Sequence, residues 1–142
     1  MNIFENYLSK INKVILAHKN NLKLKDFDQL NNINLEIPPE HFDFDLSTNI
    51  SLVLSKINKI NPNKLAEDIK NLLLKNIIDF KEIEVAGPGF INIKLSKNGL
   101  VNNINDIFKY KDSYGSKKSN ETYNVEFVSA NPTGPMHVGH CR

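Results

Sequence analysis

Cysteine is nearly missing: Cys141 is the single one in 142 residues, so no internal disulfide can form. That usage suits a reducing cytoplasm, and a cytoplasmic protein is expected. Long apolar runs are missing too; stretches such as Leu72–Leu74 end after a few residues, far short of the roughly 20 needed to cross a bilayer. The opening Met1-Asn-Ile-Phe-Glu5 has neither the basic nor the apolar region of a secretory signal. No repeat recurs at a fixed period. These scarcities exclude a membrane-spanning chain, a secreted disulfide scaffold and a fibrous repeat, and no membrane partner is expected.

What is present suffices for a core. Apolar residues make up 40% of the chain and charged ones 24%, a balance that argues against wholesale disorder. Basic and acidic side chains nearly cancel, 18 against 16. Neither half is polybasic, so any contact with nucleic acid must rest on shape and local groups as well as charge. The 17 lysines, 22 asparagines and 16 isoleucines use A/T-rich codons and report the genome rather than the function.

Apolar residues from Ile3 to His18 fall at helical spacing. Residues 22–31 read as polar and irregular. Ile33, Leu35 and Ile37 alternate like a strand, Pro38-Pro39 stops it, and Phe42, Phe44 and Leu46 alternate again. Ser47 or Thr48 can cap a helix to about Lys59, and Asn61-Pro62 opens another through Leu73. Two alternating runs, Ile83–Val85 and Ile91–Leu95, flank Gly87-Pro88-Gly89 and predict a hairpin. Leu100, Val101, Ile104, Ile107 and Phe108 supply a fourth helical stripe. The fold class expected is α+β: a two-layer domain over residues 1–109, with helices on a small antiparallel sheet. Residues 110–120 read as a linker.

After the linker, Tyr123–Ser129 has strand composition, Ala130–Met136 is too rich in proline and glycine for regular structure, and His137-Val-Gly-His140 starts a helix. Strand, tight loop and helix N-terminus together suit phosphate, because free backbone N–H groups face the anion. His137 and His140 share one helical face, and Gly139 lets a flat base approach the backbone. The same pair also suits a solvated helix start. A zinc site would need further ligands that the neighbouring sequence does not offer, so no protein-bound metal is expected. His18 and His41 read as structural.

Ser129-Ala-Asn-Pro-Thr-Gly-Pro-Met-His-Val-Gly-His140 resembles the HIGH-motif segment of the arginyl-tRNA synthetases, class I aminoacyl-tRNA synthetases. Val85-Ala-Gly-Pro-Gly-Phe-Ile-Asn-Ile93 resembles the hairpin of that family's N-terminal additional domain, and Phe44–Asn49 matches its strand-to-helix turn more loosely. The resemblance implies that residues 121–142 begin a Rossmann-like class I catalytic domain, of which the chain holds only the first strand and helix start. It implies that His137 and His140 are catalytic, and that His137, Gly139 and His140 bind ATP, whose Mg2+ arrives with the nucleotide. It further implies that Glu126, Ser129, Asn131 and His137 bind L-arginine.

The same resemblance implies that Phe90 and Asn92 bind the D-loop at the elbow of tRNA(Arg). Alternation places both on one strand face, where an aromatic ring and an amide can stack on and read an unpaired base; Phe90 could equally belong to the core. Lys81, Lys94 and Lys97 flank the hairpin and are expected to reach phosphates. The expected activity is ATP-dependent attachment of arginine to tRNA in an intact monomeric enzyme, with this chain alone inactive. The alternative is a free-standing tRNA-binding module with a vestigial tail.

Overall fold

Asparagine side chains start two of the helices. The computed structural model describes residues 2–26, 32–116, 120–125 and 134. Helix α1 runs Ile3–Ala17, with Asn2 accepting from the Glu5 amide while Glu5 reaches back to the Asn2 amide. This capping box satisfies two amide donors that the helix itself leaves open. Helix α3, Pro62–Asn76, is capped by Asn61, with the proline at the first helical position as expected. Between them, α2 (Ile50–Asn58) ends on Lys59 in the left-handed conformation, φ 53°.

Four antiparallel strands form one sheet: β1 Leu35–Glu36, β2 Leu46–Thr48, β3 Phe80–Ala86 and β4 Phe90–Leu95, in the order β1-β2-β4-β3. The register sorts the side chains. Leu46, Ile93 and Ile83 lie in one cross-strand row, and Leu35, Thr48, Ile91 and Val85 in another. Directly opposed residues share a face, so these rows form an apolar face that α1, α2 and α3 cover. Tyr7, Ile11, Ile15, Ile50, Leu54, Leu65, Ile69 and Leu73 close the core from the helix side. The opposite face carries the row Glu36, Ser47, Asn92 and Glu84. The α+β class and the two layers agree with the sequence reading.

Several expectations need correction. The strand expected over 33–37 shrinks to two residues, with Ile33 in the core and Ile37 72% exposed. The alternation of Phe42, Phe44 and Leu46 does not extend β2 upstream, because Phe42 turns back onto the Pro39 carbonyl and Asp43 and Asp45 engage β4 through their side chains. Neither Ser47 nor Thr48 takes the cap position of α2; Asn49 does, and its side chain binds Asn34 and Asn32 instead of the helix. Leu22 and Leu24, in the stretch read as polar, are core residues. His18 is the C-terminal cap of α1, its Nδ1 2.9 Å from the Val14 carbonyl.

Helix α4 spans Lys97–Tyr110, capped by Ser96, and a 3₁₀ turn follows over Lys111–Ser113. Its apolar stripe exists but points away from the core. Gly99 and Asn103 are the buried positions, whereas Leu100, Val101, Ile104, Ile107 and Phe108 are 42–72% exposed. Of the strand expected over Tyr123–Ser129, Tyr123–Val125 form no regular structure; the remainder, with the loop and helix start after it, lies outside the described residues.

Candidate nucleic-acid interface

The β3–β4 turn is held in place from behind. Gly87 (φ +55°) and Gly89 (φ +128°) adopt backbone conformations that side chains resist. A Cβ on Gly89 would also meet Ser51 Oγ at 3.2 Å and Pro62 at 3.3 Å. The Ser51 hydroxyl donates to the Gly89 carbonyl. The turn therefore seats against the α2 and α3 N-termini, and β4 leaves it in a fixed direction.

Phe90 and Asn92 follow at once and face the polar side of the sheet. Phe90 is 37% exposed, whereas Asn92 is 2% exposed and its Nδ2 finds no acceptor among the described residues. Both line a hollow of about 280 Å³. Ser47, paired with Asn92 across β2, lines it too, and Glu36, Pro39 and Phe42 complete the lining with Ala86 and Gly87. An unpaired buried amide costs roughly 1–3 kcal/mol, so a ligand that accepts a hydrogen bond gains a prepaid partner here. An aromatic wall beside a buried amide suits a flat heterocycle with an acceptor on its edge.

The wall carrying Phe42 is strapped to β4. Asp45 donates its amide to the Ile93 carbonyl at 3.0 Å and accepts the Leu95 amide on its carboxylate at 2.7 Å. Lys94 Nζ donates to both the Asp43 carboxylate and the Asp43 carbonyl. That hydrogen bond, with the lysine's charge, lowers the Asp43 carboxyl below the usual carboxylate range, and it raises Lys94 in turn. Of the three lysines expected at phosphates, Lys94 is thus engaged by a carboxylate, whereas Lys81 and Lys97 are exposed.

Glu36, Pro39, Phe42 and Ser47 escaped the sequence reading. Only the strand order brings them to Asn92; the one available signal was the polar residue Ser47 between Leu46 and Thr48. Glu126, Ser129, Asn131, His137, Gly139 and His140 lie outside the described residues. Among the described residues no group of His, Cys, Asp and Glu is placed to hold a metal ion, and no helix is long and apolar enough to cross a membrane.

Comparison with known proteins reaches the same region. The family model described as "Arginyl tRNA synthetase N terminal domain" matches residues 4–95. The chain is similar to the arginine–tRNA ligase of Pelagibacter ubique, 46% identical over 149 residues, covering 100% of this chain and 25% of that protein. Similar relatives are the arginine–tRNA ligases of Bartonella quintana, 44% identical over 100% of this chain and 24% of theirs, and of Mesoplasma florum, 43% identical over 97% and 24%. The chain spans about a quarter of the length of these curated relatives.

Proposed function

From the premise that the chain belongs to the arginyl-tRNA synthetase family, we propose that it is the tRNA-elbow-binding part of an arginine–tRNA ligase together with the first piece of the catalytic domain. The observation that carries the reading is the unpaired Nδ2 of buried Asn92 beside the Phe90 ring in one hollow. An unpaired D-loop base enters that hollow, stacks on Phe90 and accepts from Asn92, while exposed lysines hold phosphates. Phosphate contacts fix register and the amide reads the base.

In the longer enzyme, the arginine carboxylate attacks the α-phosphate of ATP and pyrophosphate leaves. No protein nucleophile takes part, so the residues position substrates and offset developing charge. His137 and His140 donate to phosphate oxygens, Gly139 lets the adenine approach, and Glu126, Ser129 and Asn131 hold the arginine. The roles of Ser129, Asn131, His137, Gly139 and His140 rest on the motif Ser129–His140, and that of Glu126 on its place three residues before it. The monomeric state and the cytoplasmic site belong to the same proposal.

The test is fluorescence anisotropy of this chain with a tRNA(Arg) transcript across a salt series. With few lysines beside the hairpin, binding is weak and falls with salt in proportion to the few phosphates neutralised. Absence of binding at low salt overturns the elbow role. Arginine- and tRNA-dependent pyrophosphate exchange by the chain alone overturns the reading that its active site is incomplete.

A further inference from the structure

Helix α4 packs by its polar side. Its contact line is Gly99, whose missing side chain lets the Asp79 carbonyl approach (a Cβ would lie 3.0 Å from it), and Asn103, which donates to the Tyr7 hydroxyl at 2.9 Å. One turn on, Asp106 faces Asn2 and Asn6 across a groove. On the far side Leu100, Val101, Ile104 and Ile107 are 42–51% exposed and Phe108 72%. Ile78, 94% exposed, adjoins the same Asp79 corner. A stripe of five large apolar side chains on one helix face is more than scattered surface exposure and marks an interface.

Three observations identify what covers it. The family's N-terminal domain match ends at residue 95, and α4 begins at Lys97, so the helix is not part of that module's matched body. About three quarters of each relative's length lies outside the part this chain matches, and α4 is the last long helix in sequence before the Ser129–His140 motif. The exposed flank carries neutral Asn98, Asn102 and Asn105, with lysines only at the helix ends, Lys97 and Lys109. That chemistry suits a protein surface rather than phosphates or an anionic membrane.

We infer that the Leu100–Phe108 face of α4 is the docking surface for the catalytic body of the same polypeptide, so that the helix is clamped between that body and the Tyr7–Asp79 surface on which Gly99 and Asn103 pack. The identity of the occupant rests on the function proposed above; the need for an apolar protein occupant does not. Such a clamp sets a fixed orientation between the Asn92 hollow and the catalytic centre.

The test joins this chain to the remaining three quarters of the Pelagibacter ubique arginine–tRNA ligase and follows hydrogen exchange of amides 100–108. In the chimera these amides exchange roughly tenfold or more slowly than in the chain alone, and the double substitution Ile104→Glu/Phe108→Glu removes the protection. The two positions are exposed, so circular dichroism of the substituted chain alone stays unchanged. Equal exchange in chimera and chain overturns the docking. So does self-association of the chain by sedimentation that the substitution abolishes, which makes a second copy the occupant, or protection that appears only with tRNA. Protection in a chimera that cannot aminoacylate tRNA supports the docking and counts against the proposed activity alone.

Discussion

Asn103 donates its side-chain amide to the Tyr7 hydroxyl at 2.9 Å, joining residues 96 apart in sequence. A second hydrogen bond, to the Gly99 carbonyl at 2.7 Å, holds the amide in place. This polar pair, not the apolar stripe, decides which side of α4 meets the domain. Tyr7 is fully buried, and Asn103 nearly so. A buried hydrogen bond between the two elements favours a single arrangement, because rotation of α4 breaks it.

Gly99→Ala tests how close that contact is. In a free helix the change gains about 1 kcal/mol of propensity. Here the new Cβ lies 3.0 Å from the Asp79 carbonyl oxygen and 3.1 Å from its Cβ. The carbonyl cannot yield easily, since it accepts the Ser96 amide at 2.7 Å. Steric cost wins, and the expected outcome is a net loss of about 1–2 kcal/mol. A lower urea midpoint at unchanged slope checks it.

Tyr7 gives the pair a pH signature. Burial pushes its hydroxyl up to about 12 from 10.0, against the Asn103 hydrogen bond, which lowers it. The unfolded chain loses this proton first as pH rises, so stability is intact below pH 10 and declines through the window from about 10 to 12. The decline is on the order of 3 kcal/mol by the size of the shift. In Tyr7→Phe the alkaline limb of the stability profile flattens by that amount, read against the wild type so that lysine titration cancels.

Elements with their own period and caps were legible in the sequence. The apolar period from Ile3, the Asn61-Pro62 start and the Gly87–Gly89 turn place α1, α3 and the hairpin nearly where they stand, because those signals act within a few residues. The illegible parts depend on partners distant in sequence. β2 begins at Leu46 only because Asp45 is held by Leu95 and Ile93, about 50 residues away. The stripe on α4 has correct spacing, yet spacing cannot say whether the apolar side faces this domain or another. At the hollow, Phe90 and Asn92 were legible as a pair on one strand face; Ser47 and Phe42 join them through a strand order that no local pattern encodes.

The lysine nearest the hollow is restrained by its partner. Lys94 is bound by Asp43, whose side chain is otherwise solvent-facing. Lys94→Ala therefore changes tRNA affinity little. Asp43→Asn releases the ammonium to a phosphate, and low-salt binding strengthens while the salt slope steepens by about one. A salt titration of both variants checks the order of effects.

The proposed function puts His140 in the chemistry rather than in tRNA docking. In the chimera with the Pelagibacter body, His140→Ala lowers kcat by roughly 10²–10³, with less effect on arginine KM, as expected for a donor that acts mainly in the transition state. Steady-state aminoacylation measures both; near-normal kcat removes His140 from the mechanism.

Asn92 separates stability from recognition. Its Nδ2 is buried without a partner among the described residues, a desolvation cost that a bound acceptor relieves. Asn92→Leu keeps the volume and removes the unpaired donor. Thermal stability then stays level or rises by about 1 kcal/mol. The same change removes the hydrogen bond to the base, at a cost on the order of 1–3 kcal/mol in affinity for tRNA(Arg). Against a transcript with the D-loop base replaced by an abasic site, wild type and Asn92→Leu bind alike, since no base edge is left to read. A residue placed there for packing behaves in the opposite way: its loss lowers the melting temperature and affects both transcripts equally. The pair of measurements, melting temperature and affinity for the two transcripts, decides whether Asn92 is held unpaired for a nucleotide.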